Sequence, residues 1–266
     1  MNTVARVVVG AIAGLALGAA IAPAPARAAD MPLAMPYAPV APPLYSWTAC
    51  YGGFNIGGGA ANKSFTDVNG FFFIAPGGDL GSHTARGVVG GGQFGCDYQA
   101  GMFVFGAQGL FDASGMKGSN LLPIPLAVVG SPSRLAASSD SFVQWFGTLT
   151  ARAGVLAAPT LLLYAKGGSA WAHDVLNVSI FNSALPSALG SATPSGWTAG
   201  AGLEWAFFGG NFTAFAEYDY MSFGTSRVNY TLVTTSGLTF PLDMKQSVNL
   251  FLFGINYRFG VGGRAY

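Results

Sequence analysis

The chain has 266 residues, of which 51% are hydrophobic and only 9% are Asp, Glu, Lys or Arg. About a quarter of the residues in an ordinary soluble domain are charged, so this composition does not suit a surface that faces water on all sides. Twelve scattered Lys and Arg and a formal net charge of +1 also exclude the clustered basic face that nucleic acids require.

The first 28 residues have the features of a secretory signal peptide. Arg6 precedes an apolar run from Val7 to Ala26, and Ala26-Arg27-Ala28 is a small-x-small cleavage site. A retained membrane helix with a GxxxG face is the alternative, which the prolines at 23 and 25 disfavour. Cleavage after Ala28 leaves a mature chain that starts at Ala29.

Residues 29–46 are predicted to form a periplasmic tether. The segment from Met31 to Pro43 contains five prolines and therefore favours an extended polyproline-like chain. Regular structure is expected from Trp47 to Phe259, so residues 47–259 form the folded domain and 260–266 a C-terminal extension.

The folded domain contains eight segments in which apolar and polar residues alternate with the period of a β-strand. In the sixth segment, for example, Trp197, Leu203 and Trp205 alternate with Thr198 and Glu204. The fourth segment sets Val143, Trp145, Leu149 and Val155 against Gln144, Thr148, Thr150 and Arg152. None of the eight contains the eighteen or more apolar residues of a membrane helix.

The connections between these segments differ in length in a regular way. Gln99–Gly101, Ala157–Pro159 and Phe208–Gly210 are tight turns, whereas residues 60–85, 114–141, 174–195 and 222–245 are long and rich in Ser, Asn and Pro. Strands that alternate in this way, with short turns at one end and long loops at the other, are typical of outer-membrane barrels. The sequence therefore predicts a closed up-and-down antiparallel transmembrane β-barrel of eight strands, with short periplasmic turns and long external loops.

The charged residues indicate which face of each strand points inward. A charge that faces lipid near the bilayer midplane costs about 2 to 4 kcal/mol, so the strand charges are expected in the lumen. Eight strands enclose an interior that side chains just fill. We expect a buried lumenal charge network, and the alternative is that the same side chains only line a wet lumen. The eight strand charges are Asp97, Asp112, Arg152, Lys166, Glu204, Glu217, Asp219 and Arg258, and the last six are predicted to form the network.

The two cysteines, Cys50 and Cys96, are predicted on adjacent antiparallel strands, on the outward face and near the periplasmic end. A cross-strand disulfide is one interpretation, and two unpaired small hydrophobic residues is the other.

The other chemical motifs favour no catalytic, cofactor or metal site. Gly90, Gly92 and Gly95 imitate a dinucleotide-binding motif, but a strand follows them where the motif needs a helix. A rim site of Asp79, Ser82 and His83 that hydrolyses lipid is the enzymatic alternative.

The segments resemble the small outer-membrane immunogenic-protein family, whose barrel is similar to the membrane domain of OmpA. The matching residues run in order along the chain: Trp47, Tyr51, Gly53, Asn55 and Gly57; Gly90–Gly95 with Gln99; Trp145-Phe146-Gly147-Thr148 with Arg152 and Gly154; Leu162-Leu163-Tyr164; Gly196-Trp197-Thr198 with Glu204; Ala216-Glu217-Tyr218; and Asn256-Tyr257-Arg258-Phe259. The family commonly ends at the aromatic residue that corresponds to Phe259, whereas this chain continues to Tyr266.

The resemblance implies residence in a Gram-negative outer membrane and a structural or surface-interaction role, with antigenic or adhesive loops and no catalysis. It also implies Ala29 as a possible attachment point for peptidoglycan. We expect outer-membrane lipid, lipopolysaccharide and the barrel-assembly machinery as partners. A narrow porin-like channel for small solutes is the alternative function.

Overall fold

The computed structural model describes residues 45–70, 76–122, 137–180, 188–207, 211–232 and 239–259, and these residues form one antiparallel sheet. Ala29 and the extension 260–266 lie outside the described residues. The strands are β1 (Ala49–Asp67), β2 (Gly78–Ala100), β3 (Phe103–Leu122), β4 (Ala137–Ala158), β5 (Leu161–Ile180), β6 (Ala188–Ala192), β7 (Ser195–Phe207), β8 (Phe212–Leu232) and β9 (Thr239–Phe259). In these ranges no helix is long and apolar enough to cross a membrane.

The sheet closes on itself. β1 to β5 each pair with the next strand in sequence, β8 pairs with β9, and β9 pairs with β1, whereas β6 and β7 each pair with both β5 and β8. Thr193 and Pro194 divide the strand at this position into β6 and β7, because proline has no N–H to donate to the sheet. Nine strands therefore occupy the eight predicted positions, and the prediction of a closed up-and-down barrel is confirmed.

Rows of residues that pair across neighbouring strands form a spiral around the barrel. A row that starts at Cys50 passes through Cys96 and, after six more strands, reaches Ala60, ten residues farther along β1. The rows rise from β1 through β2 to β9, so residues at one level are offset by about one residue per strand. We call the end with the tight turns the turn end and the opposite end the loop end.

The outward face of the barrel carries a broad apolar belt. Its residues include Phe54, which is 81% exposed, and Val88, which is 71% exposed. The eight strand charges named above are all buried. Other members of the belt are Phe94, Phe105, Phe111, Leu149, Trp171, Trp197, Trp205, Phe251, Phe253 and Tyr257.

The expected orientation of Val143 and Gln144 is wrong. Val143 is buried and Gln144 is exposed, because a β-bulge between Val143 and Trp145 reverses the alternation on β4. The alternation from Trp145 to Arg152 is as predicted.

The predicted long loops are shorter than expected, because the strands extend well past the apolar belt. β1 and β2 remain paired up to Asp67 and Gly78, and β8 and β9 up to Thr231 and Thr239. The inward face of this extension is apolar, which favours continued pairing. It contains Phe65, Leu80, Leu176, Val228, Tyr230, Phe240, Leu242 and Met244.

Candidate functional site in the barrel lumen

Four charged side chains meet near the turn end, and we call them the lower network: Asp97, Arg152, Glu204 and Arg258. Arg152 donates from Nε to Asp97 Oδ1 at 2.7 Å and from Nη1 to Glu204 Oε2 at 2.9 Å. Arg258 donates from Nη2 to Asp97 Oδ2 at 2.7 Å and from Nη1 to Glu204 Oε1 at 3.3 Å. Each guanidinium thus contacts both carboxylates, and the two positive and two negative charges balance. No side chain among the four is more than 2% exposed.

Aromatic residues surround the two guanidinium groups. The Arg152 guanidinium lies 4.8 Å from the Tyr51 ring centroid and 5.0 Å from that of Tyr164, and Arg258 lies 4.9 Å from that of Trp47. Such cation–π contacts partly replace the water that burial removes. This aromatic shell was not predicted, although the inward positions of Tyr51 and Tyr164 follow from the strand alternation.

Trp47 closes the turn end of the lumen. Its indole Nε1 donates to Pro159 O at 3.1 Å, its backbone N donates to Gln99 Oε1 at 2.8 Å, and its backbone O accepts from Arg258 Nη2 at 2.6 Å. The side chain is fully buried, with Tyr45 packed against it. Tyr45 and Trp47, which precede β1, are thus part of the lumenal structure.

A second cluster, the middle network, contains Lys166, Glu217 and Asp219. Lys166 Nζ lies 2.7 Å from Glu217 Oε1 and 2.9 Å from Asp219 Oδ2. Tyr164 connects the two networks, because its ring contacts Arg152 and its hydroxyl donates to Glu217 Oε2 at 2.8 Å. The six residues expected in one network therefore lie in two clusters. Asp97, which completes the lower network, was expected in the lumen but not named as a member.

A chain of uncharged side chains joins Asp112 to the lower network. Asn55 Nδ2 donates to Asp112 Oδ1 and to Gln93 Oε1, both at 2.9 Å. Gln93 Nε2 donates to Asn256 Oδ1 at 2.7 Å, and Asn256 Nδ2 donates to Glu204 Oε1 at 3.1 Å. Polar groups on several strands are thereby fixed to one another.

A third charged cluster, a single buried ion pair, lies beyond the apolar belt, towards the loop end. Lys63 Nζ and Asp174 Oδ1 are 2.7 Å apart and both side chains are fully buried. Burial lowers the pKa of Lys63, and Asp174 opposes this shift. An apolar layer separates this pair from the networks below. It includes Ala61, Val89, Met116, Val143, Phe146, Ala172, Met221, Phe223, Val248 and Leu250.

On the outer wall, Cys50 and Cys96 face each other across β1 and β2 near the turn end. The structure joins their sulfurs in a disulfide bond with an S–S distance of 2.02 Å. The bond fastens the first hairpin of the barrel.

The alternative catalytic site is not assembled. Ser82 is exposed, whereas the neighbouring His83 is half-buried and its Nε2 lies 2.7 Å from Ser141 Oγ. Asp79 accepts a hydrogen bond from the backbone N–H of Gly81. Burial and the nearby Lys63 lower the pKa of His83. In the part of the chain that the structure describes, no group of three or more His, Cys, Asp or Glu could hold a metal ion.

The glycines of the apparent dinucleotide motif lie within β2. A Cβ on Gly95 would come within 2.5 Å of the Tyr51 hydroxyl, so this glycine makes room for an inward-facing ring. Packing explains its presence in the strand.

Comparisons with known proteins agree with a membrane barrel. No family model matches the chain. The 31 kDa outer-membrane immunogenic proteins of Brucella melitensis and Brucella suis are each 34% identical to it over 241 residues, which cover 88% of this chain and 93% of each relative.

Solved structures of outer-membrane proteins are more distant. Ail of Yersinia pestis is 17% identical, with a TM-score of 0.37, and covers 80% of this chain and 100% of its own. OprG of Pseudomonas aeruginosa is 14% identical, with a TM-score of 0.44 and coverage of 81% and 100%. OmpT of Escherichia coli is 8% identical, with a TM-score of 0.49 and coverage of 79% and 97%. At these TM-scores the assignment rests on the closed sheet and on the Brucella relatives: the chain belongs to the family of the 31 kDa outer-membrane immunogenic protein, and it is a β-barrel of the Gram-negative outer membrane.

Proposed function

We propose that the protein is a structural barrel of the outer membrane that conducts no solute and displays its loops at the cell surface. The observation that carries the proposal is the packing of the lumen. From the turn end to the loop end, the described residues form the Trp47 closure, the lower and middle networks, an apolar layer, the Lys63–Asp174 pair and a second apolar cluster.

The first apolar layer is the strongest barrier to ions. It contains buried residues from β1, β2, β3, β4, β5, β8 and β9, so it extends across most of the circumference. An ion loses its hydration where it crosses such a layer, and unpaired buried charge is very unfavourable. A rearrangement of the charge networks alone leaves this layer in place, which disfavours the narrow-channel alternative.

The loop end supports a role in surface contact. All four longer connections leave the barrel at this end, after strands that extend past the apolar belt. In outer-membrane barrels this end faces the exterior. The relatives are named immunogenic proteins, and we propose that the connections around 71–75, 123–136, 181–187 and 233–238 carry the antigenic or adhesive contacts of this chain.

The periplasmic end supports a link to the rest of the envelope. We propose that 1–28 is a removed signal peptide, that 29–46 is a tether and that Ala29 is a candidate attachment point for peptidoglycan. The hydrogen bonds of Trp47 fix the start of the described chain to the barrel, which supports this proposal. Delivery by the barrel-assembly machinery, through Phe259 or Tyr266, is part of the same proposal.

The proposal assigns no enzymatic activity. The exposed Ser82 and the half-buried His83, which contacts Ser141, support this, and it can be tested directly. His83→Ala is expected to leave the mass spectrum of lipid A in producing cells unchanged. An altered lipid A pattern would support the enzymatic alternative.

The main test is conductance in planar bilayers. Refolded full-length protein is expected to give no stable current steps, while a general porin inserted in parallel confirms that the bilayer reports channels. Insertion of the protein is checked by the band shift between unheated and heated gel samples. Stable, reproducible steps from the folded fraction would refute the closed lumen and favour a narrow channel.

A further inference from the structure

Three basic side chains in the described part of the barrel have no acidic partner. Five of the eight described Lys and Arg form ion pairs, and only Arg227 among those five is exposed. Arg86, Lys117 and Lys245 are exposed and form no ion pair within the described residues. We call these three residues the outer basic patch.

The three residues share one face and one level of the barrel. Arg86 on β2 lies directly opposite Lys117 on β3, and Ala60 of β1 joins Arg86 to Asn249 of β9. Because the rows climb around the barrel, the level of Arg86 on β9 is about two or three residues towards the loop end from Asn249, next to Lys245. The patch therefore spans β9, β1, β2 and β3.

The position of the patch relative to the apolar belt identifies its surroundings. Val88 lies two residues from Arg86 on the same face of β2, in the direction of the turn end, and is 71% exposed. Phe251 on β9 is 59% exposed and lies on the turn-end side of Lys245. The patch thus borders the loop-end margin of the belt, where the headgroups of the outer leaflet lie.

Two like charges directly opposite each other on one face of a sheet repel. No described carboxylate forms an ion pair with Arg86 or Lys117, whereas a bound anion would bridge the two. Lys117 is held in place by the ring of Phe142, with 5.6 Å between Nζ and the ring centroid. Asp140, the nearest carboxylate by register, pairs with Ser119 two residues farther along β3.

Uncharged donors lie between the basic residues. Thr84 Oγ1 donates to Asn62 Oδ1 at 2.8 Å, and both side chains are exposed on the same wall. This bond orients the Asn62 amide so that its Nδ2 group remains a donor. Arginine binds phosphate oxygens with two parallel N–H groups, and lysine adds a compact charge, so the patch has the donors of a phosphate site.

We propose that the outer basic patch binds the phosphorylated headgroup of an outer-leaflet glycolipid, lipid A, with one phosphate between Arg86 and Lys117 and a second near Lys245. β9 and β2 are separated by two strand spacings, about 10 Å, which requires a headgroup with two anionic groups. This deepens the proposed function, since it rests on the barrel spanning the outer membrane with its loop end outside.

The outer wall on the turn-end side of the patch is apolar. A groove of about 800 Å³ lies along β1, β8 and β9, and its lining includes Phe54, Ile56, Phe253 and Ile255. Gly52, opposite Tyr257 of β9, contributes no side chain at the turn-end side of the groove.

The test is a binding titration of the folded, full-length protein in detergent by native mass spectrometry. Bisphosphorylated lipid A is expected to bind the wild type about a hundredfold more tightly than the Arg86→Ala/Lys117→Ala/Lys245→Ala variant, since each basic residue near an anionic surface contributes about fivefold. Lipid A without phosphates should bind the wild type as weakly as it binds this variant.

Controls separate this site from general charge effects. Arg227→Ala removes an equally accessible basic residue that already pairs with Asp243, and it should leave the affinity unchanged. Arg86→Lys should retain most of the binding. The proposal would be overturned if the wild type and the triple variant bound lipid A with equal affinity, or if the wild type bound phosphorylated and dephosphorylated lipid A equally. Full displacement of the lipid by inorganic phosphate at the same concentration would also overturn it. Conductance by the wild type would refute the closed lumen without affecting this result.

Discussion

Removal of the Glu204 carboxylate tests how far the lower network stabilises the barrel. The side chain has no exposed surface and accepts hydrogen bonds from Arg152, Arg258, Thr213 and Asn256. In Glu204→Ala, Asp97 alone faces two buried guanidinium groups, which leaves one uncompensated positive charge. Breaking a buried ion pair from one side costs about 3 to 5 kcal/mol, and we expect the free energy of unfolding to fall by this amount.

The assay is denaturant unfolding of the protein in lipid vesicles, followed by tryptophan fluorescence and by the band shift of unheated samples. Glu204→Gln retains the size and an acceptor oxygen but not the charge, so it should lie between the wild type and Glu204→Ala. Glu204→Ala/Arg152→Met restores charge balance and should recover part of the lost stability.

Asp243→Ala is the matched control, because it breaks the exposed pair with Arg227 at the loop end. We expect its unfolding midpoint to equal that of the wild type, since exposed pairs contribute little. If Glu204→Ala and Asp243→Ala shift the midpoint equally, or if the double variant is less stable than Glu204→Ala, the network is not a source of stability and the reasoning is wrong.

Three further predictions concern the other parts of the barrel. Glu217→Ala should lower the temperature at which the gel band shift is lost, but by less than Glu204→Ala, because Asp219 stays 2.9 Å from Lys166; an unchanged temperature counts against the middle network. Cys50 and Cys96 should resist alkylation in the unfolded, unreduced protein, and reduction should cost up to about 4 kcal/mol for a separation of 46 residues; labelling of both thiols before reduction contradicts the disulfide. Asp174→Ala removes the group that opposes the lowered pKa of Lys63, so the unfolded chain binds more protons than the folded one. The stability of that variant should then rise from pH 7 towards pH 10, as measured by unfolding midpoints, and a flat profile refutes this.

The barrel itself could be predicted from sequence because lipid imposes one rule on every strand. Charges such as Arg152 and Glu217 cannot face acyl chains, so the alternation around them shows which side is inward. This rule ends at the margin of the bilayer. Beyond it, Phe65 and Leu242 face inward and small or polar residues face outward, so the sequence pattern predicts loops where the strands in fact continue.

Local departures from regular pairing were harder to foresee. The bulge beside Trp145 adds a residue that no periodic pattern predicts, and Val143 therefore faces inward. The choice of ion-pair partners depends on the stagger of the strands, which places Asp97 of β2 next to Arg258 of β9. The sequence predicts which charged residues face the lumen. Which of them meet in each cluster depends on the ten-residue rise of the paired rows around the barrel.

The seating of Trp47 has a mechanical consequence. Its backbone and indole are held by Gln99 of β2, by Pro159 in the turn between β4 and β5, and by Arg258 of β9. Force that reaches Trp47 from the N-terminal side is therefore divided among several strands before it can peel β1 from its neighbours. If peptidoglycan is attached on the N-terminal side, as proposed, a pulling force would act on several strands at the turn end and not on β1 alone.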